Sequence, residues 1–368
     1  MKLTATVKLQ PDPEQREFLR ETMERANALC NAVSDHAWAS KQFGRFQLQR
    51  ATYHAAKNTS GLSAQVIIRC IAKVSDAYKQ DKKVQRVFRS LGAIAYDDRI
   101  LRWQEGRVSI WTTGGRQWIP FVCGDHARKL LASRRGETDL FVRNGQWFLT
   151  FTANIEVPAL ETPEDFIGVD LGIVNLAATS DGEIVSGAQV NGLRVRHERL
   201  RKRLQAKGTR GAKRRLKKRS RKQHRSQQHT NHRIAKQLVA VAQGTGRGIA
   251  LEDLKGIRDR VSAPKRQRSR HGNWGFAQLR HYIAYKAALA GVPVVLVDPR
   301  NTSRMCPECG AVDEANRVSQ SRFSCQSCGH SGLADLVAAE NIRRAAVNRP
   351  YCPDANTLLA APGQSSCL

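Results

Sequence analysis

Four cysteines near the C-terminal end constrain this chain more than any other feature. Cys306 and Cys309 form one Cys-x-x-Cys pair, Cys325 and Cys328 a second, and fifteen residues separate the pairs. A two-residue gap lets both sulfurs of one turn face the same ion, and a second pair completes a tetrahedron. The spacing predicts one zinc ion, structural because Cys fills all four positions. Two disulfides or four buried thiols are the alternatives, and disulfides need an oxidising compartment. An apolar strand, Val294 to Asp298, runs into the ribbon, and helical spacing runs from Leu336 to Asn348 after it. The ribbon, 301–332, is therefore expected as an insertion between a core strand and a core helix. Asp335 stands near the start of that helix.

The 368 residues are too many for one small core, so two or more domains are expected. Lys and Arg number 61 against 32 acids, a formal net charge of +29, which marks a polyanion binder. Nucleases, polymerase-like enzymes and ribosomal proteins fit. A membrane-surface protein fits poorly, because the charge is spread along the chain, and no membrane partner is expected. Met1 to Leu9 is too short and polar for a signal peptide. The longest apolar run, Ala287 to Val297, contains Gly291 and Pro293 and falls short of a membrane span. A soluble, cytoplasmic chain is expected. Cys30, Cys70, Cys123, Cys352 and Cys367 show no ligand spacing and read as plain thiols.

Lys2 to Leu9 alternates polar and apolar residues, a strand pattern closed by Pro11-Asp-Pro13. Helices are expected from Glu14 to about Ser40 and from Ser63 to Lys79, while Lys41 to Thr52 has no clear pattern. From about Ala95 the period changes to two. Ile100 to Trp103, Val108 to Trp111 and Gln117 to Val122 are short strands, and Thr138 to Ala153 is a hairpin turning on Asn144-Gly145. These strands, 1–12 and 95–160, predict a small β-barrel into which the helices of 13–94 are inserted. Pro158 to Glu164 reads as a linker.

Phe166 to Gly182 then places one acid, Asp170, in an apolar run flanked by glycines. A carboxylate inside a core strand is costly unless it is paired or bound to metal. The glycines permit close approach of a backbone or a phosphate. Arg194 to Arg225 is more than half Lys and Arg, with Glu198 its only acid. So dense a run repels itself unless a polyanion neutralises it, so helices contacting phosphates are expected. His224, His229 and His232 follow at irregular spacing and read as solvated polar residues. Arg247 to Leu254 is a second core strand ending in Glu252 and Asp253. Arg258 to Arg270 is a basic loop, Trp274 to Gly291 a helix, and 350–368 lacks periodicity and reads as a disordered tail.

Asp170, Glu252 and Asp335 thus stand at the ends of two strands and the start of a helix. Three carboxylates in a basic nucleic-acid binder can hold two divalent ions about 4 Å apart, which activate water and stabilise a leaving oxygen. Magnesium suits so oxygen-rich a site.

Gly168 to Ala177, Ala250 to Gly256, Thr302 to Gly310, and Cys325 through Asp335 to Ile342 resemble the TnpB transposon-encoded nucleases, compact relatives of type V CRISPR effectors. The resemblance is specific from about Phe166 to Arg344 and matches only in layout before that. It implies a multidomain α+β protein. A RuvC-like nuclease domain of RNase H-like fold would span 161–300 and 333–349, with basic helices at 193–243. The zinc ribbon would be inserted in it, and a wedge-type barrel with a helical recognition insertion would precede it. The resemblance further implies a guide RNA and a double-stranded DNA target cut beside a short motif, in a prokaryotic cytoplasm and on the nucleoid when bound to DNA. The protein would read duplex shape while base pairing reads sequence.

By that resemblance the catalytic, magnesium-holding acids fall on Asp170, Glu252 and Asp335, and the zinc ligands on the four ribbon cysteines. The guide–target duplex would lie on Arg201, Lys202, Arg203, Arg214, Arg215, Lys217, Lys218, Arg219, Arg221 and Lys222. This chain departs from the family beside the third acid. Ala334 stands where the family has Arg, and Val337 where it has Asn. Two other readings follow: an RNA-guided DNA binder with weak or lost cleavage, and a transposase acting directly on DNA strands. A ribosomal or plain zinc-ribbon RNA-binding protein explains the charge and the zinc but not the acids.

Overall fold

A computed structural model describes residues 1–160, 162–254 and 275–348. The chain divides into two compact units, Met1–Glu156 and Val157–Leu368.

In the first unit, β1 (Lys2–Leu9) is followed by α1 (Pro13–Ser40), α2 (Arg45–Thr59) and α3 (Ala64–Gln80). The strands β2 (Ile94–Tyr96), β3 (Leu101–Gln104), β4 (Arg107–Thr112) and β5 (Gly115–Val122), the short α4 (Asp125–Leu131), and β6 (Arg134–Arg143) with β7 (Gln146–Asn154) complete it. Local chemistry fixes the ends of the long helices. Asp12 accepts from Gln15 N while the Gln15 side chain accepts from Asp12 N, a capping box with Pro13 behind it. Ser63 caps α3 by accepting from Val66 N. The β6–β7 turn is Asn144-Gly145, both at positive φ, as a tight two-residue hairpin requires. The seven strands run antiparallel in the order β2-β6-β7-β1-β5-β4-β3 and curl into a near-closed barrel. Its core takes Leu9, Ile110 and Phe151 from strands and Leu19, Met23, Ile67 and Tyr78 from helices.

One expectation changes here. The unpatterned Lys41 to Thr52 contributes to α2, which buries only Leu48 and Ala56 and so leaves almost no apolar stripe in the sequence. Cys30 and Cys70 are buried core thiols, with Cys30 Sγ 3.8 Å from Cys70 O.

The second unit is a layered α/β structure. Its sheet contains β8 (Phe166–Asp170), β9 (Asn175–Thr179), β10 (Ile184–Ser186), β11 (Gly248–Glu252) and β12 (Val294–Val297). The order is β10-β9-β8-β11-β12, with β8, β11 and β12 parallel and the β8-β9-β10 meander antiparallel. The helices are α5 (Ala188–Lys207), α6 (Arg210–Gly244), α7 (Phe276–Leu289) and α8 (Ala334–Val347). Strand alternation assigns the faces. Ile167, Val169, Ile249 and Leu251 pack against Ile234 and Leu238 of α6 and Leu279 and Ile283 of α7. Phe166, Ala250, Val295 and Val297 face the other way, onto Ile342 and Ala346 of α8. Between β12 and α8 lies the ribbon, with β13 (Arg322–Ser324) paired to β14 (Ser331–Leu333) and Phe323 buried beneath.

His232 corrects the reading of three solvated histidines. It stacks on Tyr282 at 3.9 Å between ring centroids and its Nδ1 lies 3.3 Å from Tyr285 Oη, whereas His224 and His229 are exposed. A single half-buried ring of this kind leaves no periodic signal. Trp274, the Arg258 to Arg270 loop, the 350–368 tail, Cys352 and Cys367 lie outside the described residues. No described helix is long and apolar enough to cross a membrane.

Candidate active site

The same alternation that sets the core sets the acids. Asp170 ends β8 on the face of Phe166 and Gly168, and Glu252 ends β11 on the face of Gly248 and Ala250. The parallel register pairs Leu251 with Val169, so one further step brings Glu252 beside Asp170. Asp335 lies in the first turn of α8, the helix covering that face. Close approach of α8 depends on Gly168, because an added Cβ there would collide with Ala339 O and Arg343 N.

Electrostatics records the clustering. Burial, then the carboxylates of Glu252 and Asp335, pushes Asp170 up to about 7, against the pull of Arg317 and a backbone N–H. Burial also raises Glu252, opposed by the Thr302 hydroxyl, which donates to Glu252 Oε1 at 2.5 Å. Asp335 accepts from Asn175 Nδ2 at 2.8 Å and pairs with Arg317 at 3.8 Å. Asn341 Nδ2 donates at 2.8 Å to both Thr302 O and Met305 O, tying the chain entering the ribbon to α8.

The expected helix start at Leu336 moves back to Ala334, which places Asp335 within the first turn. Asn175, Thr302 and Arg317 are the polar residues that sequence reasoning missed. Asn175 had one signal, its place at the start of β9, directly after the loop that leaves Asp170. Thr302 and Arg317 sit in irregular segments whose partners only the tertiary fold supplies.

The four ribbon cysteines converge. Their sulfurs all lie within 4.8 Å of one another, with Cys306 to Cys328 and Cys309 to Cys325 each 3.6 Å apart. A tetrahedral zinc with sulfurs at 2.3 Å needs edges of about 3.8 Å, so the donor set and its spacing fit a structural zinc. Backbone N–H groups of Cys328 and Ser327 help pull the Cys325 thiol down to about 6, toward the thiolate that zinc binds. Among the described residues this is the one set of three or more ligand atoms gathered so tightly.

Of the ten basic candidates, Arg201, Lys217 and Arg219 line one cleft between α5 and α6. Lys202, Arg203, Arg214, Arg215, Lys218, Arg221 and Lys222 are exposed on the same two helices.

Two family models match. The one described as "Probable transposase", of the OrfB IS605 type, covers residues 150–255, and the Cas12f1-like TNB domain covers 276–342. The CRISPR-associated endodeoxyribonuclease Cas12f1 of Sulfoacidibacillus thermotolerans is 42% identical over 114 residues, 31% of this chain and 26% of that protein. The protein named "Putative RNA-guided DNA endonuclease InsQ" of Escherichia coli (strain K12) is 32% identical over 217 residues, 54% of this chain and 53% of that protein. The TnpB-like protein MJ0751 of Methanocaldococcus jannaschii is 35% identical over 112 residues, 30% of this chain and 40% of that protein. The chain thus spans between about a quarter and about half of these relatives. A solved structure of CasPhi-2 (Cas12j) bound to crRNA and phosphorothioate-DNA shares the fold. Its TM-score is 0.53 at 12% identity, covering 94% of this chain and 91% of that one. On these matches residues 150–255 are of the OrfB IS605 type found in TnpB-like proteins, and residues 276–342 form a Cas12f1-like TNB domain.

Proposed function

We propose that this protein is an RNA-guided, magnesium-dependent endonuclease that cuts double-stranded DNA beside a short motif, with Asp170, Glu252 and Asp335 as its catalytic acids. The observation that carries this reading is the convergence of those three carboxylates on one face of the sheet, in a chain of net charge +29. Relatives named as RNA-guided and CRISPR-associated DNA endonucleases support it. A five-stranded mixed sheet with Asp170 on its central strand supports a RuvC-like, RNase H-like domain.

The acid cluster fits magnesium. Its donors are hard carboxylate oxygens, and Asp170, pushed toward protonation by burial and then by two neighbouring carboxylates, is short of positive charge. When bound there, two ions would activate the attacking water and neutralise charge on the leaving oxygen. The protein's own part is to hold the ligands. Asn175 orients Asp335, Thr302 orients Glu252, and Asn341 fixes the backbone that carries Thr302. The zinc ribbon serves as a strut between β12 and α8, and it brings Arg317 to Asp335.

The second reading, an RNA-guided DNA binder that cuts weakly, draws on Arg317. Its guanidinium already occupies the side of Asp335, whose neighbours Ala334 and Val337 offer no polar group.

The test begins with sequencing the RNA that co-purifies when the protein is expressed with its flanking DNA. One dominant RNA with a fixed scaffold and a variable end is expected. Target duplex matched to that RNA should then be cut with magnesium by the parent and not by Asp170→Ala. Binding without cutting by both proteins supports the second reading, joined strands would indicate a transposase, and a heterogeneous RNA mixture would overturn guided targeting.

A further inference from the structure

The Leu171–Val174 loop, which leaves the β8 strand at Asp170, also forms the end of a cleft of about 480 Å³ between α5 and α6. That volume lies within the range of small-ligand sites, about 300–1,000 Å³. Two bonds hold the loop to the start of α5: Asn191 Nδ2 donates to Ile173 O, and Gly187 N to Val174 O, each at 2.8 Å. Cleft and acid cluster therefore share one anchored segment.

The lining is chemically mixed. Val195, Leu200, Leu204 and Leu216 give apolar wall, and Arg201, Lys217 and Arg219 give cations. Val174 and Val195 are 54% and 41% exposed, apolar surface open to water beside a dense positive charge. A bare phosphate has no use for the apolar wall, and an apolar ligand has none for the cations. A nucleotide uses both, with its base against the valines and leucines and its phosphates on the guanidinium and ammonium groups. His197 and Glu198 add to the lining a ring face and a hydrogen-bond acceptor for an exocyclic amine. Burial, then Arg219, Lys222 and Arg196, lowers the His197 pKa, which keeps the ring uncharged and suited to stacking. Stacked duplex cannot place a base in a recess, so the occupant belongs to a single strand.

We infer that the α5–α6 cleft is a subsite for one unstacked nucleotide of the DNA strand being led to Asp170, Glu252 and Asp335. This rests on the endonuclease reading for the identity of the strand, and on the cleft alone for the nucleotide.

The test uses the full protein purified with its own RNA, without added magnesium. Affinity is measured for a deoxycytidine trinucleotide, for the same molecule with an abasic centre, and for the cytidine ribo-trinucleotide. The parent should bind the intact DNA trinucleotide about tenfold more tightly than the abasic one, as a stacked base requires. Val195→Glu should remove that difference and Arg219→Gln should weaken the intact and abasic molecules alike, with melting of both variants checked by circular dichroism. Equal affinity for intact and abasic DNA in the parent, an undiminished ratio in Val195→Glu, or unchanged affinity in Arg219→Gln, overturns the subsite. Preference for the ribo-trinucleotide overturns the strand assignment in favour of guide RNA. Failure of the endonuclease reading would instead appear as loss of magnesium-dependent cutting in the parent, which this binding measurement does not use.

Discussion

Asn175 Nδ2 donates to Asp335 Oδ2 at 2.8 Å, joining the start of β9 to the first turn of α8 across 160 residues. The bond uses one oxygen of Asp335, and Arg317 approaches the other at 3.8 Å. Loss of the amide would leave this carboxylate held by the long arginine alone. Asn175→Ala should lower magnesium-dependent cutting about tenfold at limiting magnesium, as changes to groups that orient metal ligands do. Excess magnesium should restore most of the rate, and the melting temperature should hardly move. An equal loss at every magnesium concentration would show that Asn175 does not act through Asp335.

Asn341 has a different task. It is fully buried on α8 and its amide satisfies two backbone carbonyls, Thr302 O and Met305 O. Asn341→Ala would strand both, at a cost of about 3 kcal/mol. Urea unfolding of the second unit should show that loss. Because Thr302 in turn holds Glu252, magnesium affinity should fall in the same variant even where it remains folded. A variant as stable as the parent would mean that these carbonyls find other partners.

What was legible in the sequence follows from how local each signal is. Asn144-Gly145 announces its turn because positive φ at two successive positions demands such residues, and the structure has both. The cysteines announce their cluster because Cys-x-x-Cys spacing already sets two ligands side by side. Asp170 and Glu252 stood out as carboxylates ending apolar strands, and parallel register brings them together. Arg317, Thr302 and Asn175 were not legible as site residues. Each is an ordinary polar residue in or beside a loop, and its partner lies at least fifteen residues away or on another element. The helix α2 was hidden for a related reason, since two buried residues in fifteen make no stripe.

The raised pKa of Asp170 sets a pH dependence. Its ordinary value is 3.8 and the folded value about 7, so between those limits the folded protein keeps a proton that the unfolded chain releases. Stability without added magnesium must therefore fall as pH rises through that window, and Glu252, also raised, acts in the same direction. Parent and Asp170→Asn should melt alike near the acid end of the window. Above it the variant should melt higher, because it carries no buried charge. Magnesium should raise the parent's melting temperature there more than the variant's. A parent that gains stability over Asp170→Asn with rising pH would contradict the clustering of acids.

The ribbon should report through metal content. Cys306 is buried against Phe323, Cys325 and Val337, so its sulfur is both ligand and core atom. Cys306→Ser should lose the zinc measured by elemental analysis and loosen the ribbon. Amide exchange should rise first across Met305 to Leu333. Arg317 lies in that segment, so cutting should fall as well, although no acid has been altered. Unchanged zinc content in the variant would exclude the four-cysteine site.

Gly168 carries the sharpest packing test. It lies two residues before Asp170 on the sheet face covered by α8, and it is a glycine because α8 comes too close for any side chain. A Cβ there would strike the Ala339 carbonyl and the Arg343 amide, which are helix backbone and cannot rotate aside as a flexible side chain would. Either α8 moves outward or the strand bends. Both responses carry Asp335 away from Asp170. Gly168→Ala should therefore cost about 3 kcal/mol or more by overpacking, and lower magnesium affinity beyond what the stability loss explains. Gly106, on a barrel turn where an added Cβ would meet nothing within 4 Å, serves as the control for glycine replacement, since only its φ of +71° opposes a side chain. If Gly168→Ala melts no lower than Gly106→Ala, α8 does not pack on β8 as closely as the acid cluster requires.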